Sequence, residues 1–467
     1  MLLVVIFSLF LNPVINSKIR VIQSIVICRQ IFWLMTLNKL LQQSLLWRGF
    51  CFFTLLIVNV LMSRFLHSDG GGRIYYLTNF FSLILLLASL SMESGYTFYA
   101  SSLKIDQHKL AWFSILWTAI VGIIVASLVH TYFFKLSGTN SFTKNDYLLY
   151  SLEYICGILL MNFFSVLFFS QKNYWLPNLL IGIINIVLAI LVVVAKKKDL
   201  PASVVVNGYF VSVLLDGIAI AVAFIWINKS YRAISLPTSA EFKILLRYSI
   251  LALAGNFIFF LVYRIDFWFV EHYRTQTELG NYIQASKLGQ MLLIVPQILA
   301  SVVFPQTAEG LNETRIKQNI LIISRLLMQF FLALILLSFL FGKAVFVAVF
   351  GVTFFSMHLP FLLLLPGILS LAILTLFSAY FGGSNRVKVN VMGASVALLF
   401  MVAGNYFFTF RYGMVAAAII SSISYSINLF YSLYVFFKTD KSFSLLDFFR
   451  WNKEDYLWVK QLLAKGV

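Results

Sequence analysis

Charge is scarce in this chain, and acidic charge most of all. Seventeen Asp and Glu stand against 35 Lys and Arg, and the four types together make up 11% of 467 residues. Soluble domains carry roughly 25% charge, so nothing here has the composition of one. Cysteine is rare as well. Cys28, Cys51 and Cys156 lie in apolar surroundings with no CxxC pair and no Cys/His spacing, and they read as packing residues. The five histidines, at 67, 108, 130, 272 and 358, are scattered near the ends of apolar runs without an HExxH, so no pattern supports metal catalysis. G-x-x-x-x-G-K-[ST] does not occur, since Gly342-Lys343-Ala344 lacks both the loop and the hydroxyl. That excludes a P-loop ATP-driven pump and leaves ion gradients, the membrane potential or the substrate gradient as sources of energy. Nothing in the sequence calls for a cofactor.

What the chain has instead is hydrophobic residues, 61% of the total. From about Trp47 to Phe437 they form runs of roughly 20 residues, the length that crosses a bilayer as a helix. Only helices satisfy every backbone group in lipid at these lengths. The chain is therefore expected to be an all-α polytopic membrane protein. Its spans are expected at 47–66, 76–99, 110–134, 147–170, 174–195, 203–227, 246–270, 279–304, 319–341, 358–381, 387–410 and 413–437. The net charge of +18 sits in loops beside spans, the positive-inside signature, which argues against nucleic acid as a partner.

With the segment before Trp47 in the cytoplasm, most cations fall inside: Lys104, Lys109, Lys229, Arg232, Lys243, Arg247, Arg386, Lys388 and the tail from Lys438 onward. Both termini are then cytoplasmic, and the loop Lys196 to Lys198 is the one exception. Four segments follow: an N-terminal extension (1–34), a first lobe of six spans (35–232), a second lobe of six (233–437) and a basic amphipathic tail (438–467). The extension carries two apolar stretches too short to cross. It reads as an upstream start ahead of Met35, or else as an interfacial segment. Even numbers of spans per half place both lobes in one orientation, as in parallel-repeat transporters, and Leu40-Leu41-x-x-Ser44 is echoed by Leu245-Leu246-x-x-Ser249. The tail interleaves Phe448, Phe449, Trp451, Leu457 and Leu462 with Lys453, Lys460 and Lys465, which suits the anionic inner membrane surface.

Several segments, in order, resemble a known family. Asn59 and Arg64 stand late in the first span, Gly72 and Tyr75 open the second and Gly95 closes it. Asp266 follows a Phe-rich run, then come Leu279-Gly280-Asn281-Tyr282, Pro296, Phe304 and Pro305. Phe350-Gly351 precedes the tenth span, Tyr380 to Arg386 and Lys388 mark its exit, and Tyr412-Gly413 with Ala416-Ala417-Ala418 opens the twelfth. Across residues 38 to 437 this pattern resembles the Wzx-type O-antigen and polysaccharide flippases of the multidrug/oligosaccharidyl-lipid/polysaccharide superfamily. Gly70-Gly71-Gly72 and Glu93 depart from that pattern. The resemblance implies a MATE-like fold of two six-helix lobes around a central cavity that opens alternately to each side. It further implies a polyprenyl-diphosphate-linked oligosaccharide as substrate, the bacterial inner membrane as location, and membrane lipids, a glycan polymerase and export machinery as partners.

Function must then lie in the few polar groups at membrane depth, each of which costs about 2.5–3.5 kcal/mol to insert. Arg264, Asp266, Lys287 and Glu153 lie roughly 6–12 Å inside the ends of their spans, and Asp216 lies nearest the midplane. Arg264 and Asp266 are two residues apart and cannot pair with each other. Asp266 is expected to meet Lys287 across neighbouring helices, leaving Arg264 to face the cavity. Arg264, Lys287, Arg64 and Gln290 are the candidates for phosphate and cavity contacts, because cations in a wet chamber offset the desolvation of phosphate. Asp266, Asp216 and Glu153 are candidates for coupling ions or for structural ion pairs. The plainer readings are snorkelling for Arg64 and Arg325, a helix-tying pair for Arg264 or Lys287, and simple kinks for Pro296 and Pro366. Competing functions are a cation-coupled multidrug exporter, which needs an acidic cavity, and a membrane glycosyltransferase or polymerase, which needs a large catalytic loop. The chain is expected not to be an enzyme.

Overall fold

A computed structural model describes residues 15–101, 105–136, 143–232, 234–308, 313–439 and 448–450. The expectations for residues 1–14 and for most of the basic tail lie outside the described residues. Every regular element among the described residues is a helix. In chain order these are α1 (Ile15–Ser89), α2 (Met92–Ser101), α3 (Gln107–Leu136), α4 (Lys144–Ser170), α5 (Trp175–Lys197) and α6 (Ala202–Ile227). They continue with α7 (Ser239–Tyr273), α8 (Gln276–Met291), α9 (Ile294–Ala308), α10 (Glu313–Phe350), α11 (His358–Gly383) and α12 (Val387–Thr439). Short 3₁₀ turns occupy Ser230–Arg232 and Val352–Met357.

Nine helices among the described residues are long and apolar enough to cross a membrane. Two of them cross twice. α1 reverses at His67 (φ 59°, ψ −176°), and Tyr75 then reaches back to hydrogen-bond Asn59 at 3.0 Å. α12 reverses at Gly413 (φ 61°, ψ −143°), so that the Ser424 hydroxyl donates to the Ala397 carbonyl at 2.6 Å. The broken pair α8–α9 supplies one more crossing, which makes twelve. Gly413 has a second reason to lack a side chain: a Cβ there would lie 2.8 Å from Arg274 Nε and Glu278 Oε2.

The buried apolar side chains fall into two clusters. One runs from Val58 to Leu245 and the other gathers residues from Val262 onward together with Tyr75. Lipid removes most of the hydrophobic drive between helices, so close packing through small residues carries more of the load. At the α4–α6 contact a Cβ on Gly157 would lie 2.8 Å from Leu214 Cα, and one on Gly217 would lie 3.0 Å from Gly157 Cα.

Three crossings are interrupted inside the bundle. α8 ends at Met291 and α9 resumes at Ile294, because Pro296 cannot donate to the Leu292 carbonyl four residues earlier. The second crossing breaks at Leu90 (φ 50°) and Ser91 (φ 53°) with neither proline nor glycine. Side chains replace the lost ladder there: Ser89 Oγ accepts from Ser91 N–H at 3.1 Å, and Trp117 Nε1 donates to the Ala88 carbonyl at 2.9 Å. In α11 the Ser422 hydroxyl inserts between the Leu363 carbonyl and the Gly367 N–H, splitting one helical bond beside Pro366. The sequence reading anticipated continuous second and eighth spans. It also ended the ninth span at 341, whereas α10 runs on to Phe350.

Gly157→Val is expected to lower the melting temperature of the purified protein by several degrees, since overpacking costs about 1–3 kcal/mol. Gly255→Val, at a position where nothing lies within 4 Å of a new Cβ, leaves it unchanged. A thermal-shift series in detergent measures both.

Candidate functional site

The reversal at His67 brings the Gly70-Gly71-Gly72 turn against the start of α8. A Cβ on Gly72 would lie 3.2 Å from Gly280 Cα, and one on Gly280 would lie 2.9 Å from the Ser68 carbonyl carbon, so two backbones meet with no side chain between them. Ser68 N–H donates to Thr353 Oγ1 at 3.3 Å, and Asn281 Nδ2 donates to the Thr353 carbonyl at 3.1 Å. Arg64 Nε donates to the Val349 carbonyl at 2.8 Å, and its guanidinium also bonds the Ala348 carbonyl. Those carbonyls sit at the C-terminal end of α10, where no helical donors remain, so Arg64 serves as a helix cap. It joins the two lobes at this seam.

Deeper along the same crossing, Tyr75 and Asn79 follow Gly72 at intervals that keep them near one face, and each meets a cation from the other lobe. Lys287 Nζ of α8 lies 3.4 Å from the centroid of the Tyr75 ring. Arg264 Nη1 of α7 donates to Asn79 Oδ1 at 3.3 Å. The Tyr75 ring is fixed by its hydroxyl, which bonds Asn59 Oδ1 and Ser63 Oγ, both at 3.0 Å. The bond to Asn79 holds Arg264 of the second lobe against the first.

Neither cation has an acidic partner. The ion pairs among the described residues are Arg73–Asp69, Lys109–Glu241, Arg274–Glu278 and Lys317–Glu313, all near helix ends or the His67 reversal. Asn79 is fully buried beside Arg264, and its amide nitrogen has no hydrogen-bond partner. Two unneutralised cations and an orphan amide donor thus converge in a region of low dielectric.

The expected Asp266–Lys287 pair is not formed. Asp266 is fully buried in the second lobe, accepting from the Tyr282 hydroxyl, from Ser421 Oγ at 2.9 Å and from Phe267 N–H at 3.0 Å. Tyr282 and Lys287 are five residues apart, about 140° around α8, so when Tyr282 turns to Asp266 the lysine turns away. Gln290 donates to Ser286 Oγ at 3.1 Å along its own helix. Gln284, which the sequence reading did not single out, is fully buried with both amide atoms unbonded. Asp216 on α6 and Glu153 on α4 are each 7% exposed within the first lobe, and each has one carboxylate oxygen without a partner. Arg325 is buried at 7% exposure, which differs from the snorkelling reading.

No protein-family model and no curated protein matches the chain. Solved structures do. The chain is similar to the lipid II flippase MurJ in an inward closed conformation, with a TM-score of 0.65 and 16% identity over 91% of this chain and 93% of that one. It is similar to an inward-facing multidrug resistance MATE family transporter of the MOP superfamily (TM-score 0.62, 15% identity, 84% and 96% covered). A third similar structure is the Vibrio cholerae MATE transporter VcmN in its bent form (TM-score 0.58, 14% identity, 87% and 98% covered). Likeness at such low identity shows the fold, that of two six-helix lobes around a central cavity.

Tyr282→Phe removes the hydroxyl that bonds a fully buried carboxylate, and is expected to cost about 1–3 kcal/mol of stability. Adding Asp266→Asn recovers part of that loss. A double-mutant cycle read by thermal unfolding checks the coupling.

Proposed function

We propose that this chain is a flippase of the multidrug/oligosaccharidyl-lipid/polysaccharide superfamily that moves a polyprenyl-diphosphate-linked oligosaccharide across the bacterial inner membrane by alternating access. The observation that carries the reading is the pair Arg264 and Lys287, held between the lobes without an acid. Charge left unpaired in low dielectric is costly, and an anionic cargo relieves it. A diphosphate brings acceptors for the arginine fork, the ammonium and the orphan Asn79 amide at once.

An apolar groove supports a lipid-linked cargo. It has a volume of about 600 Å³ and lies among Phe52 and Leu56 of α1, Leu288 of α8, Val295 of α9, and Ile323 and Phe330 of α10. Leu288 follows Lys287 in sequence, so the groove and the cation share one turn of α8 on different faces. A headgroup at Lys287 could leave its polyprenyl tail in that groove while the hydrated glycan occupies the chamber.

Asp216 and Glu153, with their unbonded carboxylate oxygens, are assigned to ion coupling in the first lobe, and Asp266 to holding α7 against α8 and α12. Residues 35–232 and 233–437 act as the two moving lobes. The charge bias places both termini in the cytoplasm and the Gly72–Gly280 seam on the far side. A glycan polymerase and export machinery would take the flipped product. A cation-coupled drug exporter fits less well, because the groups that meet between the lobes are basic.

Deleting the gene is expected to trap the lipid-linked glycan on the cytoplasmic leaflet. Arg264→Ala and Lys287→Ala should each lower transport roughly ten- to a hundredfold, the equivalent of one lost charge-assisted bond. Leaflet-resolved labelling of the glycan lipid in the deletion strain and in each variant measures this. Normal glycan export in the deletion strain, or heightened sensitivity to cationic drugs alone, would refute the reading.

A further inference from the structure

We propose that Tyr75 and Asn79 form an occupancy-dependent latch: they hold Lys287 and Arg264 while the chamber is empty and yield them to the anionic headgroup, whose arrival frees the lobes to part. The inference rests on the flippase reading above. It assigns a positioning role to two neutral residues that touch the cations.

The geometry has three parts. Tyr75 and Asn79 sit one helical turn apart on one crossing of the first lobe, and their two cations come from consecutive helices of the second, so both contacts tie the lobes. Both acceptors are neutral, and an anion outcompetes a ring face or an amide oxygen for a cation in low dielectric. The ring of Tyr75 is anchored through Asn59 and Ser63 in its own lobe, so it stays behind when Lys287 leaves.

Directionality follows. Gly72 lies three residues before Tyr75, and Gly280 lies seven before Lys287, so the Tyr75–Lys287 contact lies below the backbone seam on the same helix pair, with Asn79–Arg264 one turn deeper on the neighbouring α7. An empty chamber cannot release Lys287 without stranding a charge. A filled one can, and what then holds the seam is backbone packing, the Thr353 hydrogen bonds and the Arg64 cap on α10, contacts that the cargo leaves in place and that are weaker without the latch. Separation of the seam thereby depends on cargo, which guards against empty cycling and ion leak.

The test uses the full chain in proteoliposomes with undecaprenyl diphosphate as probe. Cys28, Cys51 and Cys156 are replaced by serine, and Ser68→Cys with Thr353→Cys reports the seam through a short thiol cross-linker. In the otherwise native chain the probe is expected to lower cross-linking severalfold. Tyr75→Leu should lower it without probe and raise probe affinity about threefold or more, because a parked lysine taxes binding. Asn79→Asp supplies a permanent anion to Arg264, so cross-linking should stay high with probe present and affinity should weaken roughly tenfold. Tyr75→Phe keeps the ring face that receives Lys287 but loses the hydroxyl anchor to Asn59 and Ser63, so cross-linking without probe should stay above that of Tyr75→Leu, which separates a latch on the ring face from a general packing role. A native chain that binds the probe with unchanged cross-linking overturns the latch and leaves the flippase reading standing. The latch also falls if Tyr75→Leu and Asn79→Asp respond as the native chain does. A native chain that fails to bind the probe overturns both.

Discussion

Two positive charges that have no acid to meet are the constraint around which this bundle is arranged. A guanidinium and an ammonium at membrane depth are tolerated only where water, protein dipoles or a counter-ion reach them. Here Arg264 rests on an amide oxygen and Lys287 on an aromatic face, both supplied by the opposite lobe. Such contacts suffice to hold a cation and are weak enough to give it up. Under the flippase reading proposed above, that balance suits an anionic headgroup, since a carboxylate in the same place would neutralise the site and compete with it. The one carboxylate nearby in sequence, Asp266, is kept away by its bonds to Tyr282 and Ser421.

The interruptions of the helices complement that site. The second crossing of the first lobe breaks at Leu90–Ser91, and the second crossing of the other lobe breaks at Leu292–Leu293. Irregular backbone at this depth persists only when buried groups satisfy it, and Ser89, Trp117 and Asn256, whose amide donates to Ser91 Oγ at 3.1 Å, do so at the first break. The second break follows Lys287 by a turn and opens onto the apolar groove. Charge, groove and change of helix direction thus adjoin on α8 and α9.

Much of the fold was legible because the bilayer fixes run length: crossings appear as hydrophobic stretches, and their number followed. Arg264 and Lys287 stood out by depth alone, since a cation in a span needs a reason. Their neutral partners Tyr75 and Asn79, and the buried Gln284, carry no such cost signal and could be found only in three dimensions. The Asp266–Lys287 pairing failed because helix rotation, invisible without neighbours, points Tyr282 rather than Lys287 at the carboxylate. The break at Leu90–Ser91 has no proline or glycine to announce it. α10 outruns its expected end at 341, and the Lys343 ammonium lies 3.9 Å from the centroid of the Phe355 ring beside the turn that follows α10.

The most direct measurement is an experimental structure of the chain with a polyprenyl-diphosphate-linked saccharide bound. The account predicts diphosphate density within hydrogen-bonding reach of both Arg264 and Lys287, with Lys287 lifted from the Tyr75 ring. Diphosphate bound elsewhere, with Lys287 still on Tyr75 and Arg264 still on Asn79, would contradict it.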